Sequence, residues 1–143
     1  MPKSLKHCLM GCKFFLIGCC LFACSENNLP QEHFKNESQK LQKVCPKRLD
    51  AETDLYTVQW SEPYFTYTFR LTHLNTRSID TLLFKNLVLP GIKTEICLRD
   101  DSILCKKLGV IFCYRYLNSK SEYLCSIRQS YQTCNELPVK NAP

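Results

Sequence analysis

With 143 residues and a formal charge of +6, the chain has room for one small domain together with a leader and a tether. The charge does not describe a nucleic-acid binder. Lys3, Lys6 and Lys13 supply three of the positive charges and no acid precedes residue 24, while Lys47-Arg48 and Lys106-Lys107 are isolated pairs with no dense basic stripe between aromatics.

The first residues set a positive flank of Lys3, Lys6, His7 and Lys13 before an apolar stretch at 14–23 of Phe, Leu, Ile, Gly, Cys and Ala. About ten apolar residues at about 1.5 Å each cover only half of a hydrocarbon core of about 30 Å, too short for a stable span. A positive flank, a short apolar core and a small residue before the cut describe a secretory signal.

The stretch closes on Leu21-Phe22-Ala23-Cys24. That run resembles the lipobox of bacterial lipoproteins, in which Leu stands three places before the modified Cys and a small residue just before it. The resemblance implies that Cys24 takes a diacylglyceryl group, that residues 1–23 are removed, and that membrane lipid holds the chain. Leu16-Ile17-Gly18-Cys19 fits the same pattern, but cleavage there leaves only residues 14–18 as apolar core, below the usual length of about seven or more. Cys24 is therefore the expected lipidation site. In enterobacterial-type sorting an Asp after the lipidated Cys retains such proteins in the inner membrane, so Ser25 favours the outer membrane, facing the periplasm.

Residues 24–45 are expected to form the lipid anchor and a polar tether. The segment is rich in Asn, Glu, Gln and Lys and suits a solvated coil or a weak helix, with His33 and Phe34 as incidental surface. As a coil it would reach about 25 Å.

The α+β domain is expected over residues 46–136, followed by a tail at 137–143. Leu55-Tyr56-Thr57-Val58-Gln59-Trp60 has strand character, Ser61-Glu62-Pro63 interrupts it, and alternation follows, with Phe65, Tyr67, Phe69 and Leu71 on one face. This is a hairpin of an antiparallel sheet wet on one side. Residues 78–109 have helical spacing in pieces. Ser78 or Asn75 could cap a helix from Ile79 that carries Leu82, Leu83 and Leu87, and Pro90 should break it and open a second helix to about Arg99. Asp101 can cap a third helix through Leu108, with Gly109 as its stop. Ile92, Ile96, Leu104 and Leu108 suit helices lying on the apolar sheet face.

A second hairpin should flank the polar turn Asn118-Ser119-Lys120-Ser121. Pairing Leu117 with Glu122 sets Tyr116 opposite Tyr123 and Phe112 opposite Ile127. That register gathers Phe112, Tyr114, Tyr116, Tyr123, Cys125 and Ile127 on one face and turns Cys113 to the other. The expected fold is α+β: a small antiparallel sheet of two hairpins with two or three short helices on one face, stapled by disulfides.

Of eleven cysteines, Cys8, Cys12, Cys19 and Cys20 leave with the signal and Cys24 is lipidated, so Cys45, Cys97, Cys105, Cys113, Cys125 and Cys134 remain. An even number in an exported small domain suits disulfides, with buried thiols as the other reading and the pairing open. No CxxC or HxxxH pair offers a metal site, and no cofactor motif occurs.

The helix Cys97, the Leu108-Gly109 pair leading into a strand, the Tyr114-Arg115-Tyr116 strand and the terminal Cys134 are together similar to small exported lipoproteins of Gram-negative bacteria. The layout is loosely similar to one class of secretin pilotins, lipoproteins that escort secretion-pore subunits to the outer membrane. That resemblance implies a Cys97–Cys134 disulfide, and Cys45, Cys105, Cys113 and Cys125 are additional to it.

His73 is the only His expected in the domain, and a Cys or Ser nucleophile would need a His base with an orienting carboxylate. No such set is visible, and Asp50, Glu52 and Asp54 suit a solvated strand approach better than paired acid catalysis. The expected function is thus non-catalytic: an anchored envelope lipoprotein that binds an envelope protein, of the pilotin kind, with no nucleic-acid partner and no metal. A structural, inhibitory or host-facing lipoprotein is the alternative, and a small envelope hydrolase the further one.

Overall fold

The computed structural model describes residues 29–75 and 79–136. In chain order these form α1 (Leu29–Gln42), β1 (Lys47–Arg48), β2 (Thr53–Ser61), β3 (Tyr64–Leu71), α2 (Thr81–Cys97), α3 (Ser102–Leu108), β4 (Ile111–Leu117), β5 (Tyr123–Ser130) and a closing 3-10 turn (Tyr131–Glu136). No described helix is long and apolar enough to cross a membrane.

The architecture is α+β, with one five-stranded sheet in the order β1-β2-β3-β4-β5. The two expected hairpins are present as β2–β3 and β4–β5, but they join into a single sheet and a short edge strand is added. The junction is parallel: Phe65 pairs with Phe112, Tyr67 with Tyr114 and Phe69 with Tyr116. The sheet is therefore mixed and not purely antiparallel. A parallel pair needs a long crossover, and α2 and α3 supply it.

Period-two alternation places Phe65, Tyr67 and Phe69 of β3 beside Phe112, Tyr114 and Tyr116 of β4, and their rings form a continuous aromatic layer. Tyr67 lies 5.4 Å from Tyr114, Phe69 lies 5.4 Å from Tyr116, and Phe65 lies 6.0 Å from Phe112. Ring pairs at such separations add stabilisation beyond their buried area. Ile92 and Ile96 of α2 and Cys105 of α3 close over this face.

Residues 29–42 are helical and belong to the packed unit, which begins well before residue 46. Pro30 suits a first helical turn, and Phe34, Ser38 and Leu41 line the inward side. Phe34 has no exposed surface and packs 5.2 Å from Trp60, which corrects its expected place on the surface. The helix is also held by polar contacts: the Val58 N–H donates to Gln42 Oε1 at 2.8 Å.

Two further expectations are corrected. α2 runs through Pro90 without a break, starting from Asp80, whose carboxylate accepts from the N–H groups of Leu82 and Leu83. The inward stripe Phe84, Val88, Ile92 and Ile96 continues across the proline, and its packing outweighs the lost backbone hydrogen bond. In β4–β5 the register differs by two residues: Phe112 faces Gln129, Tyr114 faces Ile127, and Tyr116 faces Cys125. The cause is the loop, where Asn118 is fully buried and its Oδ1 accepts from the N–H groups of Lys120 and Glu122. A shift after Tyr116 then pairs Leu117 with Tyr123. Tyr123 thus leaves the inner face, while Cys113 does point to the outer one.

The third helix ends as expected, but Asp101 does not cap its start, because its carboxylate is engaged by Arg99 and His33 instead. α3 ends at Gly109, whose φ of 61° is a left-handed cap that favours glycine.

Candidate functional site

Cys24 and its competitor Cys19 lie outside the described residues. Cys97 and Cys134 are joined by a disulfide with Cα atoms 5.4 Å apart, tying the end of α2 to the closing turn. Cys45, Cys105, Cys113 and Cys125 are free thiols. Cys113 and Cys125 sit on opposite faces of the sheet, and Cys105 is enclosed on the inward side of α3, so geometry keeps all three apart. Burial pushes each of these thiols above its ordinary pKa, and Cys105, beside the Asp101 carboxylate, is pushed up to about 12.

The densest group of charged side chains lies where α1 meets the α2–α3 connection. Arg99 donates to Glu37 at 2.8 Å and to Asp101 at 2.8 Å, and its guanidinium lies 4.9 Å from the centre of the Phe112 ring. His33 lies 2.9 Å from Asp101. Burial alone would raise the Asp101 carboxyl, but the hydrogen bonds from Arg99 and His33 and the Arg99 charge outweigh it and hold the group down to about 2. Burial also pushes the neighbouring Tyr67 hydroxyl well above the tyrosine range.

His33, Glu37 and Asp101 bring their ligand atoms within 4.8 Å of one another, a spacing that could suit a metal ion. Arg99 argues against that use, because its fixed positive charge already occupies both carboxylates. The cluster is a clasp between α1 and the rest of the domain. It does not assemble a nucleophile either: Cys105 contacts Asp101 at 3.6 Å, but a thiol with so high a pKa is the opposite of an activated one. His73, the expected base candidate, lies 3.2 Å from the Ala51 carbonyl oxygen, and that backbone contact is the only hydrogen bond found for its ring among the described residues.

The feature that the sequence pointed toward without fixing its orientation is the outer side of α2. Leu82, Leu83 and Leu87 face away from the core, 69%, 57% and 70% exposed. Around them Asn86, Pro90, Gly91 and Thr94 are also exposed, and the half-buried Lys93 is the one charged residue on this side of the helix up to Thr94. A helix apolar on both sides either is buried all round or awaits a partner. Beside its first turn a cavity of about 450 Å³ opens between Leu71, His73, Leu74, Ile79 and Phe84. The sequence signal that separates the two stripes is the i, i+4 series Phe84, Val88, Ile92 and Ile96, which packs inward and leaves the leucines out.

No protein-family model matches the chain, and no curated protein matches it in sequence. Solved structures do share its fold. The pilotin EpsS of the Vibrio vulnificus type II secretion system aligns with a TM-score of 0.57 and 12% identity over 76% of this chain and 93% of that one. The type II secretion pilotin AspS of Vibrio cholerae gives a TM-score of 0.51 and 11% identity over 73% and 92% of the two chains. A protein of Pseudomonas aeruginosa described as secreted gives 0.53 and 8% over 73% and 92%. At these identities the likeness is one of fold.

Proposed function

We propose that this chain is an envelope lipoprotein anchored through acylated Cys24, whose domain is a non-catalytic protein-binding module of the pilotin kind. The observation that carries the reading is the exposed leucine side of α2, which offers an apolar seat for an amphipathic helix of a partner, read by anchors spaced i and i+4. The fold shared with two type II secretion pilotins supports it, and makes a secretion-pore subunit the favoured partner. Membrane attachment would confine encounters to a surface, so modest intrinsic affinity suffices through a raised effective concentration.

With α1 beginning at Leu29, an anchor at Cys24 would lie five residues before it, at most about 18 Å along a fully extended chain. The domain would therefore ride close to the lipid rather than at the end of a long coil.

Two measurements test the reading. Labelled palmitate should enter the wild type and not Cys24→Ser; label that persists there but vanishes in Cys19→Ser moves the anchor. Leu83→Ala/Leu87→Ala should lose co-purification with the secretion-pore subunit of the same cell while keeping its thermal transition. Retained partner in the double variant, or envelope-substrate turnover abolished by His73→Ala, would refute the proposal.

A further inference from the structure

The described helices cover one face of the sheet, and on the other face two exposed arginines on neighbouring strands are held by aromatic rings. Arg115 of β4 lies 5.5 Å from the centre of the Tyr123 ring, and Arg128 of β5 lies 5.7 Å from that of Tyr64. Tyr123 is itself fixed by the hydrogen bond from its hydroxyl to Ser126 Oγ at 3.2 Å. A guanidinium held over a ring can still turn N–H groups to a ligand, and those groups fit a phosphate or carboxylate in two-point fashion; Arg128 also touches the Cys113 thiol. Because Cys113 pairs with Arg128 and Arg115 with Ser126, the two arginines are diagonal neighbours, about 7–8 Å apart at the backbone.

Their surroundings are set for an anion. A hollow of about 360 Å³ lies between them, floored by Cys113 and Thr66. A second, of about 480 Å³, shares Tyr64 and Arg128 with the first and runs over the end of the sheet to Lys106. Neither lining contains a carboxylate. The contrast within the same face is informative: Arg48 and Arg70 are both neutralised by Asp54, whereas no ion pair is found for Arg115 or Arg128 among the described residues.

The position of this basic end relative to α1 identifies the source of the anion. Gln31, in the first turn of α1, donates to Glu62 at 2.8 Å, and Glu62 belongs to the turn that leads directly into Tyr64. The chain thus enters the domain at the end of the sheet where the two hollows meet. We propose that the Arg115–Arg128 face is a second binding site, which takes the phosphate-bearing headgroups of an anionic membrane lipid. The choice of lipid as source rests on the anchored reading above; the complementarity to an anion does not. Two ring-held guanidiniums and Lys106 would turn this face toward the bilayer and leave the leucines of α2 free for a protein.

The test is a titration of the full-length exported protein in a zwitterionic detergent. The probes are short-chain phosphatidylglycerol, short-chain phosphatidylcholine, inorganic phosphate and hexaglutamate. Saturable binding of phosphatidylglycerol over phosphatidylcholine is expected. It should fall by at least about tenfold in Arg115→Gln/Arg128→Gln, since each basic group near an anionic surface contributes about a fivefold factor. If the double variant loses its thermal transition, Arg115→Gln alone carries the comparison. Inorganic phosphate binding as tightly as the lipid would replace the lipid with a free anion, and tighter binding of hexaglutamate would replace it with an acidic protein segment. No preference for phosphatidylglycerol over phosphatidylcholine overturns the proposal, as does a preference unchanged in the arginine variant. Mass spectrometry of the same preparation separates the two readings: unacylated protein that still binds the lipid removes the anchor and leaves this site standing, and acylated protein that does not bind removes only the site.

Discussion

The ring of Phe34 lies 5.2 Å from the indole of Trp60 and 6.2 Å from Phe65, so α1 is built into the core of the domain. Removing that ring should cost about 3–5 kcal/mol, the usual penalty for emptying a buried aromatic position. Chemical denaturation of Phe34→Ala should show that loss, while Gln39→Ala, on the exposed side of the same helix, should leave the midpoint nearly unchanged. Equal midpoints for Phe34→Ala and the wild type would mean that α1 is not docked in solution.

The clasp around Arg99 makes a pH prediction. Asp101 is held at about 2 in the folded protein against about 4 in the unfolded chain, so its contribution is present above pH 4 and is lost as pH falls toward 2. Two units correspond to about 2–3 kcal/mol, to order of magnitude. Asp101→Asn should therefore be less stable at pH 7 and should show a flatter decline between pH 5 and pH 2. A wild-type stability that does not fall across that range would contradict the clasp.

The staple between Cys97 and Cys134 closes a loop with a sequence separation of 37. Chain entropy assigns such a loop about 3–4 kcal/mol, before any strain. Cys97→Ser/Cys134→Ser should lower the denaturation midpoint accordingly, and non-reducing peptide mapping of the wild type should recover the two residues in one linked fragment. Both thiols free in exported protein would remove the staple.

Thiol labelling separates the remaining cysteines. Cys105 is almost fully buried and its pKa is pushed up to about 12, so iodoacetamide at pH 8 should leave it unmodified until the protein unfolds. Cys45, only partly buried, should label first among the four free thiols of the described residues. Rapid native modification of Cys105 would contradict its place on the inward side of α3.

Much of the sheet was legible because alternation states which residues share a face: Phe65, Tyr67 and Phe69 needed no tertiary information. Gly109 marked the end of α3 for an equally local reason. The parallel joining of β3 to β4 was not legible, since a strand's periodicity names its faces but not its neighbour. A weak helix was legible for α1 but its packing was not, because Phe34 and Leu41 are nearly its only large apolar residues; Gln42 and Glu37 hold it through contacts with Val58 and Arg99, which are distant in sequence. The leucines of α2 were recognised as helical, but their side was not legible, because a helix apolar on both sides has two stripes that compete for the core. The β4–β5 register slipped because a buried Asn118 in the loop cannot be told from an exposed turn residue by composition.

The docking face of α2 is tested most directly by photo-crosslinking in cells, with a photo-reactive amino acid in place of Leu87. Light should join the protein to one envelope partner, a secretion-pore subunit if the module is of the pilotin kind. The same group in place of Lys120, exposed in the β4–β5 loop, should give no such adduct. Identical adducts from the two positions, or none from position 87 in a folded and exported protein, would contradict the assignment of α2 as the partner-binding surface.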